Sequence, residues 1–541
     1  MTSSFEEFTP EQEALLGHFV TNTRSSIFAL YNIPEVIKGA LFSRYSRSTL
    51  GLRSLLLKEF LLNQEEAGVK SLLENLPTSS QEQLLAIKKA QNFYDRILDG
   101  YGDDSIGELG GAHLALENIS IIAAKVIEDC RIGGSPLEKS TRYVYFDQKV
   151  NGEYLFHKEA VLMTSAWKSL YVNTCNMLFD TYSKLIPRLT TFMMEKYPKQ
   201  AEVSKGAYTA AVRAKVLDCI RGLLPASTLT NMGVFGNGRF FESLLHKLHS
   251  SNLSELCDIG RAAYDELEKI IPSFVRRAEI SHKTHLDFSS FQEAMRSEMK
   301  EEAKLVSSSL TGITPGVTLV ASDPDAVFKV AAALLYPDTH ESFSTLLAYC
   351  KNLNPEALGK LLDTAAVHRQ NRRHRSPRAL ENAVFTFDLV ADYGAYRDLQ
   401  RHRLVTQEKQ LLTCSNGYYT PQELQESGLE TEYAAALSAA KEAYDTIAEQ
   451  LPEEAQYVVP MAYYIRWYFT LNLREIQWIT ELRSQPAGHT CYRVIAQQMA
   501  QAVETAFPEF SRFFKFVDRE SYDVGRLGAE VKLEQKRQGV V

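Results

Sequence analysis

Two stretches of the chain share one order of apolar and polar positions. IFALYNIPEVIKGALFSRYS, beginning at Ile27, runs from a short apolar segment through a turn carrying Pro34 into apolar positions at helical spacing. VTLVASDPDAVFKVAAALLYP, beginning at Val317, repeats that order around Pro324. Each predicts a strand, a turn and an amphipathic helix, with strands at 27–30 and 317–320. Further strands are expected at 142–146 and 383–389, while the apolar runs at 119–126 and 327–336 are short enough for buried helices. Strand signals are few and helical ones dominate. The pattern therefore predicts an α+β fold of small, mostly antiparallel sheets covered by long helices.

A second pair of segments makes this an internal repeat. RGLLPASTLTNMGVFGNGRFFESLLHKL begins at Arg221 and QYVVPMAYYIRWYFTLNLREIQWITELR at Gln456. Aligning Pro225 with Pro460 also aligns Asn237 with Asn472 and Arg239 with Arg474 without a gap. The first repeat is longer, and its surplus near 63–90 and 147–204 reads as helical insertion. A charged stretch followed by SSSLTGITPG suits a linker at 291–315, between a first repeat at 1–290 and a second at 316–541.

Composition narrows the functional classes. A chain of 541 residues exceeds one ordinary core, and 45% apolar with 23% charged residues is a globular balance. A net charge of -8 argues against a surface built for nucleic acid, despite the basic run HRQNRRHRSPR from His368. Seven cysteines without a CxxC pair offer neither a disulfide framework nor a zinc site and point to a reducing, cytoplasmic setting. The N-terminus lacks the features of a signal peptide, and no segment approaches a spanning helix. His246-x-x-His249 and His282-x-x-His285 each lack a third ligand at a telling spacing, so no metal is expected.

Two places carry candidate chemistry. Arg401-His402-Arg403 follows the run AVFTFDLVADYGAYRDLQ, which delivers three cationic or hydrogen-bonding groups to an element end suited to gripping a phosphate or a flavin. In the first repeat Ser135, Glu138, Ser140 and Arg142 share a loop whose hydroxyls, backbone N–H groups and guanidinium form an anion cradle.

In combination these motifs resemble the flavin-dependent thymidylate synthase (ThyX) family twice over, each copy damaged differently. The family's RHR triplet survives as Arg401-His402-Arg403, whereas the first repeat shows Cys130-Arg131-Ile132. The family's loop ending in Ser-x-Arg-Tyr survives as SPLEKSTRY, 135–143, whereas the second repeat reads LVTQEKQLLT, with Leu411 in the loop. Asp104-Ser105 with Glu108, and His374-Arg375-Ser376 with Glu381, are similar to the flavin-contacting stretch. Arg221, Asn237 and Arg239 match the family's downstream arginine and Asn-x-Arg, with Leu248 where a last arginine belongs; Asn472, Arg474 and Arg483 match in the second repeat, with Gln456 at the first place.

The resemblance implies conversion of dUMP to dTMP with FAD as cofactor and with methylenetetrahydrofolate and NADPH as co-substrates. It implies nucleotide binding by Glu138, Ser140, Arg142, Arg221 and Arg483, with Arg142 and Arg483 at the chemistry. It implies flavin binding by His374, Arg401, His402, Arg403, Asn472 and Arg474. Family members assemble as tetramers with shared sites, so the resemblance implies a homodimer of two-repeat chains with two sites rather than four. The rival readings are a pseudoenzyme that keeps flavin or nucleotide without turnover, a nucleic-acid-binding module and a metal enzyme.

Overall fold

Alternating burial builds the sheets. In a computed structural model, which describes residues 8–45, 48–61, 107–306 and 313–538, the strands are β1 (Gly111–Ser120), β2 (Gly134–Glu138), β3 (Lys149–Val150), β4 (Glu153–Tyr154), β5 (Leu229–Asn237), β6 (Gly316–Ser322), β7 (Val384–Asp392), β8 (Thr406–Lys409) and β9 (Tyr464–Asn472). They form sheets ordered β1-β5-β2, β3-β4 and β6-β7-β9-β8. In β9, Ile465, Trp467, Phe469 and Leu471 are buried on one face, and the strand pairs antiparallel with β7 from Val384↔Asn472 to Asp392↔Tyr464. Helices dominate the rest, so the fold is α+β with small antiparallel sheets.

The helices used below are α1 (Glu35–Tyr45), α2 (Ile121–Glu128), α3 (Lys168–Lys196), α4 (Lys205–Ile220), α5 (Gly238–His249), α6 (Lys283–Lys304), α7 (Ala326–Leu335), α8 (Tyr393–Leu399), α9 (Glu430–Ala448), α10 (Leu473–Arg483) and α11 (Thr490–Ala506). The strand, turn and helix expected from Val317 is β6 and α7. Its first-repeat partner keeps the helix, α1, but 27–30 contributes only the isolated bridge Val20↔Leu30. Residues 142–146 are turn and irregular; the strand of that region lies earlier, at β2, where Pro136 and the residues around it pair with β5. The insertion expected near 63–90 lies outside the described residues, and that at 147–204 holds the β3–β4 hairpin and α3. The linker expected at 291–315 is helical through Lys304, because its charged residues are good helix formers joined by pairs such as Lys304 to Glu301 at 2.6 Å.

Two compact units divide the chain: Met1–Glu117, Ile132–Glu138 and Asn231–Ser307 form the first, and Asn118–Arg131, Lys139–Thr230 and Ser308–Val541 the second. Neither coincides with a repeat. Within the second unit Pro225 and Pro460 form an antiparallel bridge with each other. Ala226 N–H donates to Val459 O at 2.9 Å and Met461 N–H to Leu224 O at 3.0 Å; further out, Ser227 N–H reaches Tyr457 O at 3.1 Å and Ala462 N–H reaches Gly222 O at 2.9 Å. Exchanging the repeats turns each bond into its partner, so a local two-fold axis passes between the prolines. Both prolines occupy the pair that exchanges no hydrogen bonds, where the missing N–H is not needed.

The repeats also share their caps. Ser120 Oγ accepts from Ala123 N–H at the start of α2, and Asp392 Oδ1 accepts from Ala395 N–H at the start of α8, each at 2.9 Å. Counting from these caps corrects the expected register by one residue: Asp129-Cys130-Arg131 stands opposite Arg401-His402-Arg403. The extra residue before β2 is absorbed in a turn with Arg131 at φ 48° and Gly133 at φ 85°. Asn237 and Asn472 cap α5 and α10, their Oδ1 atoms accepting from Phe240 and Glu475 N–H at 2.9 and 3.0 Å. We expect Asn472→Ala to lower stability by about 1 kcal/mol in urea unfolding, with Asn472→Asp recovering most of it. No helix among the described residues is long and apolar enough to cross a membrane.

Candidate functional site

The second unit gathers arginines from both repeats around buried carboxylates, Asp218 and Asp398 with Asp392 beside Arg221. Arg142 sits in the turn after β2, Asp218 in α4 and Arg221 at its end. Asp398 lies in α8, which runs into Arg401, while Arg483 ends α10 and Tyr492 lies in the first turn of α11. Arg142 grips Asp218 through Nε and Nη2, both at 2.7 Å, and donates to Tyr492 Oη at 3.0 Å and Ala487 O at 3.2 Å. Burial opposes both charges, yet the pair holds the guanidinium well above and the carboxyl below their usual ranges. Of the five N–H bonds of Arg142, four are committed, so this residue is chiefly a buried strut. Ser140 Oγ accepts from the Arg142 N–H at 3.2 Å, which leaves its own hydrogen to donate.

Asp398 is the centre of the remaining charge. Burial alone would raise its carboxyl, but Arg221, Arg401, Arg142 and Arg483 together hold it far below the usual range. Arg221 Nη1 meets Asp398 Oδ2 at 3.3 Å, and its buried Nη2 has no hydrogen-bond partner among the described residues. That approach needs Gly394, since a Cβ there would lie 3.1 Å from Arg221 Nη2. Arg483 donates Nε–H to His402 Nε2 at 3.0 Å and has no carboxylate within ion-pair distance among the described residues. Burial, partly offset by Asp398, lowers its pKa. Its ring neighbour is Tyr492, with Arg142 and Arg483 each 5.7 Å from the ring centroid.

Two buried histidines complete the centre. His489 caps α11, Nδ1 accepting from Cys491 N–H at 3.2 Å, so Nε2 carries the proton that meets Asp218 O at 3.1 Å. Burial and the nearby Arg221 push His489 down to about 3, leaving it neutral. His402 is likewise neutral, lowered well below the usual value by burial and Arg483.

Helix α10 is clamped from two sides. Arg474 pairs with Glu381, Ser376 Oγ donates to Gln477 Oε1 at 2.6 Å, and Arg369 grips Glu481 with both ends of its guanidinium. Residues 474, 477 and 481 share one helical face. They fasten the basic run 368–378, whose Arg373, His374, Arg375 and Arg378 are exposed. From the other side His402 reaches Glu475 and Arg483.

Arg142, Ser140, Arg221, Arg401, His402 and Arg483 thus lie in the same unit. Arg403 is exposed, as is His374, whose carbonyl accepts from Arg369 Nε at 2.8 Å. Asn472 commits its amide oxygen to the α10 cap, and Glu138 belongs to the first unit, at the end of β2. Sequence reasoning missed Asp218, Asp398, His489, Tyr492 and Glu475. The repeated spacing Asp218-x-x-Arg221 and Asp398-x-x-Arg401 was the available signal.

At the counterpart of Arg221, Gln456 accepts from Leu412 N–H at 3.1 Å and donates to Glu453 O at 2.9 Å, so it is neutral and internally satisfied. In the first unit Arg239 pairs with Glu108 at 2.8 Å, as Arg474 does with Glu381. There too, His246 and His285 face each other at 3.0 Å and His249 Nδ1 meets Ala278 O at 3.1 Å. Among the described residues no group of three or more His, Cys, Asp or Glu side chains could hold a metal ion.

The family model for thymidylate synthase complementing protein matches residues 62–273 and again 318–509. The chain is 53% identical over 535 residues to a UPF0159 protein of Chlamydia pneumoniae, covering 99% of each chain. It is 34% identical over 529 residues to a UPF0159 protein of Thermoplasma acidophilum, covering 93% of this chain and 99% of that one. Among solved structures, a UMP/dUMP methylase, PolB, from Streptomyces cacaoi bound with 5-Br dUMP aligns at 19% identity with a TM-score of 0.30, over 39% of this chain and all of that chain.

Proposed function

Because the chain belongs to the thymidylate synthase complementing protein family, we propose that it is a flavin-dependent synthase making dTMP from dUMP, with methylenetetrahydrofolate as carbon donor and NADPH as reductant. The observation that carries this reading is the cluster of arginines in the second unit, in which the buried Nη2 of Arg221 has no hydrogen-bond partner among the described residues. Four guanidiniums, Arg142, Arg221, Arg401 and Arg483, act on Asp398, with Asp218 as a further carboxylate. A phosphomonoester, with about two negative charges at neutral pH, would meet the donors that this cluster leaves unsatisfied. Arg483 and the unpartnered Nη2 of Arg221 fit that anion, with Ser140 as a neutral donor.

The second unit also carries donors whose chemistry suits FAD. Exposed His374, Arg401 and Arg403, with Arg474, would hold its diphosphate, and bound flavin would supply the reducing equivalents for the transfer. The chain's own share is to fix the nucleotide, exclude water and polarise the uracil carbonyl with fixed donors. A cysteine nucleophile has no support at this centre: burial pushes the Cys219 and Cys491 thiols well above their usual range.

The substituted counterpart positions lead us to assign one site per chain, in a homodimer of two-repeat chains. Calorimetric titration with dUMP is expected to saturate at one nucleotide per chain; two would refute that assignment. Purified protein is expected to show flavin absorption and to release tritium from 5-tritiated dUMP only with both NADPH and methylenetetrahydrofolate present. The strapped state of Arg142 favours a second reading, a protein that binds flavin or nucleotide without turnover. Bound flavin with no release would select it.

A further inference from the structure

His402 stands between two groups whose chemistry leaves it one arrangement. Arg483 has only donors, so His402 Nε2 must accept from Arg483 Nε–H, at 3.0 Å. The neutral ring then carries its hydrogen on Nδ1, which points at Glu475 Oε1 at 3.2 Å. Asn472 caps the same turn by accepting from Glu475 N–H at 3.0 Å, which fixes where the Glu475 side chain begins. All three side chains are buried or half-buried. Burial pushes the Glu475 carboxyl up to about 7 against the pull of Arg474, and either protonation state retains an oxygen that can accept from Nδ1.

We infer that Glu475 is a positioning residue: through His402 it locks the imidazole tautomer and so aims the Arg483 guanidinium at the nucleotide. This rests on the nucleotide reading of the site given above. The repeat supplies an independent observation, because all three members are replaced together. At the counterparts of His402, Glu475 and Arg483 the first repeat has Cys130, Phe240 and Leu248. Where the aimed arginine is gone, the residues that aim it are gone too. His402 therefore acts behind Arg483 rather than on a ligand directly.

Glu475→Leu is expected to weaken dUMP binding by roughly tenfold to a hundredfold, the effect of misdirecting one charge-assisted contact. Glu475→Gln keeps an accepting oxygen and should restore dUMP affinity to within about threefold of the parent. His402→Phe breaks the same relay at its middle link, so it should show the same loss, and the double variant should be no worse than either single one. No loss in either single variant, or additive losses in the double one, would overturn the proposal. Nitrogen-15 spectra of histidine-labelled protein test the relay without any ligand: His402 should be neutral with hydrogen on Nδ1, and the opposite tautomer would also overturn it. If the parent itself fails to bind dUMP while this tautomer is present, the nucleotide reading falls and the inferred aim falls with it.

Discussion

Replacing Arg483 with alanine should lower kcat/KM for tritium release by about a hundredfold or more while leaving the protein folded. The reason lies in what the side chain lacks. Two arginines at this centre answer to a carboxylate at short range, Arg142 to Asp218 and Arg221 to Asp398. Arg483 has a histidine nitrogen and an aromatic ring, and burial already weighs on its charge. Its removal breaks no ion pair, so the unfolding midpoint should stay within a few degrees of the parent. Arg142→Ala makes the contrast: it leaves Asp218 buried without its cation and should damage folding and activity together. A Arg483→Ala protein with parental kcat/KM would sink the assignment of this arginine to substrate.

Glu481 is the position where stability should suffer most. Its side chain is fully buried and receives both ends of the Arg369 guanidinium, and its Oε1 also accepts from Phe516 N–H at 3.3 Å. Arg369 in turn donates to Arg372 O at 3.1 Å and His374 O at 2.8 Å and stacks 5.1 Å from the Phe516 ring centroid. Glu481→Ala strands a buried guanidinium, a loss of about 3–5 kcal/mol. It also unfastens the basic run from α10. Urea unfolding should show the loss, and limited proteolysis should show new cleavage within 370–378. An unchanged midpoint would mean that this pair is not what holds the run in place.

Much of the architecture was legible from the chain. The pairing of Pro225 with Pro460 could be read because three residue types kept register across the repeat, and the structure gives that register a geometric cause. The strand β9 was harder to see. Its buried positions alternate, but the exposed faces carry Tyr464, Tyr468 and Thr470, so the segment reads as an aromatic run rather than as a period of two. At 142–146 the β-branched and aromatic composition promised a strand, and the demand of Arg142 for Asp218, Tyr492 and Ala487 bent the segment into a turn instead. The arginines could be found because a family motif contains them. Their carboxylates left only the faint signal of the repeated Asp-x-x-Arg spacing, since an aspartate on a helix does not otherwise show which cation it will meet. Asn472 illustrates the same limit from the other side: a polar residue beside a motif arginine was expected at the cofactor, and its first commitment is to the end of a helix.

The proline bridge has a consequence for how such a chain can change. In a symmetric pair of identical subunits, any substitution enters both halves of every shared site at once, so no single residue can be refined for one partner alone. Joined repeats remove that coupling everywhere except beside the axis, where each residue still touches the neighbourhood of its own counterpart. Near the axis Gly222 and Tyr457 have already parted company: a Cβ on Gly222 would lie 2.3 Å from Tyr433 Oη, a space that no second tyrosine could share. Inheritance thus acts on two addresses, and at the arginine positions they have diverged: Arg221 has Gln456 as its counterpart and Arg483 has Leu248.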